Sequence, residues 1–200
     1  MGKKILSHEF FTRSAVDVAE DLLGKCLIRK IGKKTGVYTI TETEAYEGPY
    51  DKASHASRGR TARTEVMFGP PGHFYVYLCY GMHWMLNIVT GPIGHPAAVL
   101  IRATRSSTVN ISIRTRGVLI LDGPGKLTKA LKIDKGLNAL CASPKAGLWF
   151  EDRGIKMSKN QIKKTPRIGV SYAGPVWSKK KYRFILKKLP KEELSSFPAG

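Results

Sequence analysis

Turn chemistry cuts this chain into strand-length pieces. Apolar and aromatic runs span Lys25–Ile31, Val37–Tyr46, His73–Tyr80, Met82–Thr90 and Ala97–Ala103, punctuated by Gly32-Lys-Lys-Thr-Gly36, Gly69-Pro-Pro-Gly72 and Gly81. Glycine and proline supply tight reversals, so such runs read as hairpins. Parallel neighbours need crossovers of about a dozen residues or more, which these turns do not provide. Trp149–Asp152, Arg167–Tyr172 and Tyr182–Leu186 read as further strands. Ser14 with Asp17 predicts a helix start and Gly24 its stop, with Ala15, Val18, Ala19, Leu22 and Leu23 on one apolar face. Asp51–Ser57 reads as a short helical turn, and Asp122-Gly-Pro-Gly-Lys-Leu127 as a loop entering a short helix that ends near Ile133. The predicted fold is α+β: a single compact domain over residues 1–190, with a curved, mainly antiparallel β-sheet and surrounding helices. Residues 191–200 are expected to form a mobile tail.

Within that frame, Thr41-Glu-Thr-Glu-Ala-Tyr46 combines carboxylates with an aromatic ring at a strand end, and Asp51 and His55 follow. Strand alternation predicts that Tyr38, Ile40, Glu42, Glu44 and Tyr46 share a face. A carboxylate among apolar and aromatic neighbours loses water, which suits it to general acid or base work. Two glutamates on a solvated strand end are the plain alternative.

Charge narrows the partner. Lys plus Arg number 34 against 15 acids, a net +19, while a hydrophobic content of 42% excludes a largely disordered chain. Such a balance fits a protein that neutralises phosphates, because counterion release drives the association. Charge alone also fits ribosomal proteins and membrane-surface binders. Cys26, Cys79 and Cys141 form no CxxC pattern, and the five histidines form no HExxH pattern, so no metal site is predicted. No apolar signal core or membrane-spanning run is present, and a cytoplasmic location is expected.

Aromatic residues crowd the paired runs: Phe74, Tyr75, Tyr77, Tyr80 and Trp84. Rings beside a basic surface suggest stacking of nucleobases, and Tyr80 next to Gly81 suggests a protruding wedge. Strand core is the alternative for Tyr75, Tyr77 and Trp84. Gly-Pro-Gly before Lys126 and Lys129 suggests a phosphate cradle or simply a turn.

Taken in order, Glu42-Thr-Glu-Ala-Tyr-Glu-Gly-Pro49, Asp51 and His55, Arg58-Gly-Arg, Met67-Phe68-Gly-Pro-Pro-Gly, Tyr75-Val-Tyr-Leu-Cys-Tyr-Gly-Met82, Asn87, Leu100-Ile-Arg102 and Gly123-Pro-Gly-Lys-Leu127 resemble the alkyladenine (3-methyladenine) DNA glycosylase family. The resemblance implies excision of alkylated or deaminated purines from double-stranded DNA by a monomer, without metal or cofactor. It implies that Glu44 activates the attacking water and that Arg102 helps to hold it, with the backbone carbonyl of Ile168. Tyr46 would stack on one face of the flipped base and His55 and Tyr77 on the other. Asn87 would disfavour guanine, and Leu100 would line the pocket floor. Tyr80 would fill the gap in the duplex, with Met82, Arg63, Lys126 and Lys129 as further DNA contacts.

A ring-methylated purine is cationic, so electron-rich rings attract it. For His55 a helix-cap or core role is the alternative, and for Arg102 a strand-end ion pair with Glu42. Thr64 and Asp122 depart from the family pattern, each standing where asparagine is expected. A non-catalytic protein that binds damaged DNA or structured nucleic acid is the alternative function.

Overall fold

The computed structural model describes residues 3–106, 119–155 and 157–187, so the expected tail lies outside the described residues. Among them, ten strands form one open antiparallel sheet. The strands are β1 (Lys4–Ile5), β2 (Cys26–Ile31), β3 (Lys34–Tyr46), β4 (Phe74–Cys79), β5 (His83–Thr90), β6 (Ala97–Ser106), β7 (Leu119–Asp122), β8 (Leu148–Asp152), β9 (Ile162–Thr165) and β10 (Arg183–Leu186). The main order is β1-β8-β2-β3-β6-β5-β4, while β10 pairs with β3 and β9, and β7 with β6. Long β3 therefore has two partners on one side: β2 along its first half and β10 opposite Glu42–Glu44.

Helices α1 (His8–Phe11), α2 (Ala15–Asp21), α3 (Pro124–Ala130) and α4 (Gly174–Trp177) surround the sheet. Helix α2 starts as expected: Ser14 Oγ accepts from the Asp17 N–H at 3.1 Å, satisfying one of the orphan donors of the first turn. Its buried residues Ala15, Val18 and Ala19 pack on β3 and β6, and α3 packs on β5, closing the main core on one sheet face. The opposite face of β3, β6, β5 and β4 carries only small clusters. Ala56, Met67, Tyr75, Val89 and Ala98 form one, and Ala53, Val170 and Ala173 another. Loops before β4 and after β9 cover this face incompletely, and the site lies between them.

Two expectations are corrected. Tyr38, Ile40, Glu42, Glu44 and Tyr46 do not share a face. The register between β3 and β6 shifts between Ile40 and Glu42 and again between Glu42 and Thr43. Tyr38 and Ile40 sit in the main core, and beyond the irregularity Thr43 and Ala45 take that side. Glu42, Glu44 and Tyr46 are thereby turned to the opposite face. Such bulges re-aim side chains. Here the Thr43 hydroxyl fixes the new parity by donating to the Ala19 carbonyl of α2 at 2.7 Å. Nor is Arg167–Tyr172 a strand. The chain there is irregular up to a single 3₁₀ turn at Ser171–Ala173, and the pairing strand is β9, within the lysine-rich connection.

Candidate active site

One transverse row of the sheet builds the site. Tyr75 on β4 pairs with Asn87 on β5, Asn87 with Leu100 on β6, Leu100 with Glu44 on β3, and Glu44 with Arg183 on β10. Directly paired residues point to the same face, so one register delivers an aromatic ring, an amide, an aliphatic side chain and a carboxylate side by side. The adjacent row adds Tyr46 opposite Ala98. A cavity of about 480 Å³ opens above them, lined by Tyr46, His55, Tyr77, Asn87, Leu100, Arg102 and Ile168 among others. That is within the ordinary range for a small-molecule site, about 300–1,000 Å³.

Glu44 is completely buried, one layer behind the cavity wall. Its carboxylate is held by three donors among the described residues. The Ile168 backbone N–H donates to Oε1 at 2.8 Å, while the Tyr46 hydroxyl and Arg102 Nη1 donate to Oε2 at 2.9 and 3.2 Å. An ionised carboxylate offers about four lone-pair sites, so one direction is left for a further donor. Arg102 is itself anchored by Nε to Glu42 Oε1 at 2.8 Å, and Arg183 shares that oxygen at 2.6 Å. The expected ion pair of Arg102 with Glu42 thus coexists with the Glu44 contact. Burial works against the Arg102 charge, but Glu44 and Glu42 outweigh it and raise its pKa.

The rings meet at angles rather than in a stack. His55 and Tyr77 lie edge to face with centroids 4.7 Å apart. His55 Nδ1 is 3.0 Å from the Tyr75 hydroxyl. Burial, reinforced by Arg63 and Arg58, lowers the His55 pKa to about 4, so its imidazole is neutral at physiological pH. Burial and then Glu44 push the Tyr46 pKa well up, and Tyr46 remains a hydroxyl donor. Burial likewise raises Tyr77. Asn87 Nδ2 donates to the Tyr75 carbonyl at 3.0 Å, fixing the amide in the floor.

At the rim, Tyr80 and Gly81 form the reversal between β4 and β5. Their φ values of 50° and 69° and the Met82 N–H to Cys79 carbonyl bond match the mirror-image turn that suits the twist of a hairpin. A tyrosine pays strain in that conformation. The turn projects it outward: Tyr80 is 89% and Met82 70% exposed. Arg63, expected among the DNA contacts, is exposed, lines the cleft and lies over the Tyr77 ring at 4.8 Å. The Thr64 departure has a local explanation: its buried hydroxyl reaches the Gly59 carbonyl at 3.1 Å and the Thr61 hydroxyl at 3.0 Å, closing the basic loop. Asp122 pairs with Lys126 at 2.8 Å on the exposed start of α3, so that lysine is already partnered, whereas Lys129 is exposed on the next turn.

Comparison with known proteins decides the class of chemistry. Residues 9–190 match the model of the methylpurine-DNA glycosylase (MPG) family. The chain is 47% identical over 176 residues to a protein of Methanocella arvoryzae, covering 85% of this chain and 86% of the relative. It is 43% identical over 178 residues to one of Streptomyces avermitilis, covering 86% and 84%. Both relatives bear the name "Putative 3-methyladenine DNA glycosylase". The chain belongs to the methylpurine-DNA glycosylase family. It is therefore a DNA glycosylase, a hydrolase of N-glycosyl bonds.

Two residues of this glycosylase site were not foreseen in the sequence. Arg167, inside a run that reads as a strand, is buried beneath Tyr46 at 4.8 Å from its ring centroid and binds Asp51. Tyr172, 64% exposed, lines the rim and donates to the Ala53 carbonyl at 3.0 Å. An arginine in an apolar run gives no sign of burial. Asp51, the only sequence signal for the pair, lies 116 positions away. Among the described residues no group of three or more His, Cys, Asp or Glu side chains is arranged to hold a metal ion, and no helix is long and apolar enough to cross a membrane.

Proposed function

We propose that this glycosylase flips alkylated or deaminated purines, of the 3-methyladenine, hypoxanthine and ethenoadenine class, out of duplex DNA into the cavity. There it hydrolyses the N-glycosidic bond with a water activated by Glu44, leaving an abasic site. The observation that carries this reading is a fully buried carboxylate, oriented by three donors and set just behind the lining of an aromatic cavity, on a protein of net charge +19.

The bond between C1′ and the purine nitrogen breaks with its electron pair going to the base, and the sugar develops oxocarbenium character. Glu44 stabilises that charge and accepts the proton of the water that attacks C1′. Arg102 keeps the carboxylate aimed, and the Ile168 N–H holds its other oxygen. Tyr46 on one side and His55 with Tyr77 on the other bracket the base, with Leu100 and Asn87 beneath it. Neutral His55 adds no repulsion toward a cationic methylated purine. Tyr80 and Met82, exposed on the hairpin turn beside the cavity, enter the minor groove and fill the vacancy, which offsets the cost of unstacking, about a few kcal/mol.

Action as a monomer is part of the same proposal, and the DNA substrate supports a cytoplasmic, nucleoid-associated location. The test is release of free base from duplexes bearing 3-methyladenine, hypoxanthine or ethenoadenine. Tight binding without free base would favour a non-catalytic damaged-DNA binder instead.

A further inference from the structure

We propose that Arg167, clamped by Asp51, is a positioning residue for base excision: it sets both the Tyr46 ring and the Ile168 N–H against Glu44. The inference rests on the reading of Glu44 as the water-activating carboxylate. Both partners are wholly buried. Arg167 Nη1 meets Asp51 Oδ2 and Nη2 meets Oδ1, the latter at 2.8 Å, a two-pronged match that fixes the guanidinium plane. Nη1 also donates to the Ala45 carbonyl at 2.8 Å, and Nη2 to the Trp177 carbonyl at 3.3 Å. Asp51 is fixed in turn, accepting from the Glu47 and Ala53 backbone N–H groups at 3.1 and 3.0 Å.

What this rigid pair touches is the machinery around Glu44. The guanidinium lies 4.8 Å from the Tyr46 centroid, backing the ring whose hydroxyl donates to Glu44 Oε2. The next residue along the chain, Ile168, sends its N–H to Glu44 Oε1. Two of the three donors on the carboxylate therefore depend on where Arg167 sits. The third, Arg102, is anchored separately by Glu42. Apolar residues of similar volume often stabilise a fold as well as a buried ion pair does. The use of this pair is therefore its geometry: a flat support for Tyr46 and a fixed start for the Ile168 segment.

The experiment uses the full chain with two alterations. Arg167→Met combined with Asp51→Asn removes both buried charges while keeping an acceptor for the Glu47 and Ala53 N–H groups. Arg167→Lys keeps the charge but loses the two-pronged geometry. Three quantities are read: the single-turnover rate of hypoxanthine release at saturating enzyme, the Kd for a duplex bearing a tetrahydrofuran abasic analogue, and the thermal unfolding midpoint. A misplacement on the order of 1 Å costs roughly 10²-fold in rate, so both variants should slow by about 30- to 100-fold while Kd stays within about threefold.

Release within about threefold of wild type in either folded variant would overturn the proposal. So would a loss of rate matched by an equal loss of binding, or a failure of both variants to fold, since the pair would then be structural. Failure of the underlying reading looks different. Wild-type protein would release no base from hypoxanthine, ethenoadenine or 3-methyladenine duplexes, and this inference would fall with it.

Discussion

The backbone N–H of Ile168 donates a 2.8 Å hydrogen bond to Glu44 Oε1 across 124 positions of sequence. It ties the covering loop to the sheet at one oxygen of the carboxylate proposed to activate the attacking water. A backbone donor cannot rotate away as a side chain can, so it orients the carboxylate at little entropic cost. Tyr46 and Arg102 complete the set.

Tyr80→Ala should impair flipping more than chemistry. The exposed ring stands on a turn with positive φ at both central residues, and it is the ring proposed to fill the space left by the base. Without it the enzyme bears an unstacking cost of about a few kcal/mol alone, so excision should fall most for well-paired lesions and least for mismatched ones. Comparing single-turnover rates on hypoxanthine opposite thymine and in a bulge checks this. Equal losses on both would remove Tyr80 from the wedge role.

How much of this was legible in the sequence depends on the residue. The crowding of Tyr75 and Tyr77 was legible and the resemblance supplied Leu100 and Arg102; all four line the cavity, each pair two residues apart on a regular strand of period two. The same rule failed between Ile40 and Thr43, where nothing in Thr41-Glu-Thr marks a bulge and the parity is set by a contact with α2. Strand β9 was hidden because its lysines suit an exposed edge, where charge discourages further pairing. The run at Arg167 was misread because its burial depends on a distant carboxylate, and single-sequence patterns do not carry long-range pairing.

His55 predicts a pH signature. Its pKa in the folded protein, about 4, lies below the usual 6.5, so the unfolded chain binds more protons between these values. The contribution of His55 to stability is then full above pH 6.5 and is lost as pH falls toward 4. His55→Gln should reduce the fall in unfolding midpoint between pH 6.5 and 4. An imidazole NMR titration of wild type should show His55 still neutral at pH 5.5. A midpoint near the ordinary value would contradict the burial argument.

Salt should weaken DNA binding steeply. Neutralisation of ~6 phosphates gives a log–log slope near −5. Because Asp122 already partners Lys126, Asp122→Asn should free that lysine and steepen the slope by about one unit. An unchanged slope would place Lys126 off the DNA face.

No covalent enzyme–DNA adduct should form. A glycosylase that also cleaves the strand attacks the sugar with an amine, and the cavity wall contains arginines 63 and 102 but no lysine among the described residues. Borohydride added during turnover should trap nothing. An adduct abolished by replacing one particular lysine would show a nucleophile outside this cavity.

The central claim is that Glu44 activates water. Glu44→Gln is nearly isosteric and can still accept hydrogen bonds, but it cannot take up the proton of the attacking water. Single-turnover release of hypoxanthine from duplex DNA should fall by at least about 10²–10⁴-fold, while binding to an abasic-analogue duplex changes little. A variant that releases base within about tenfold of wild type would contradict the account.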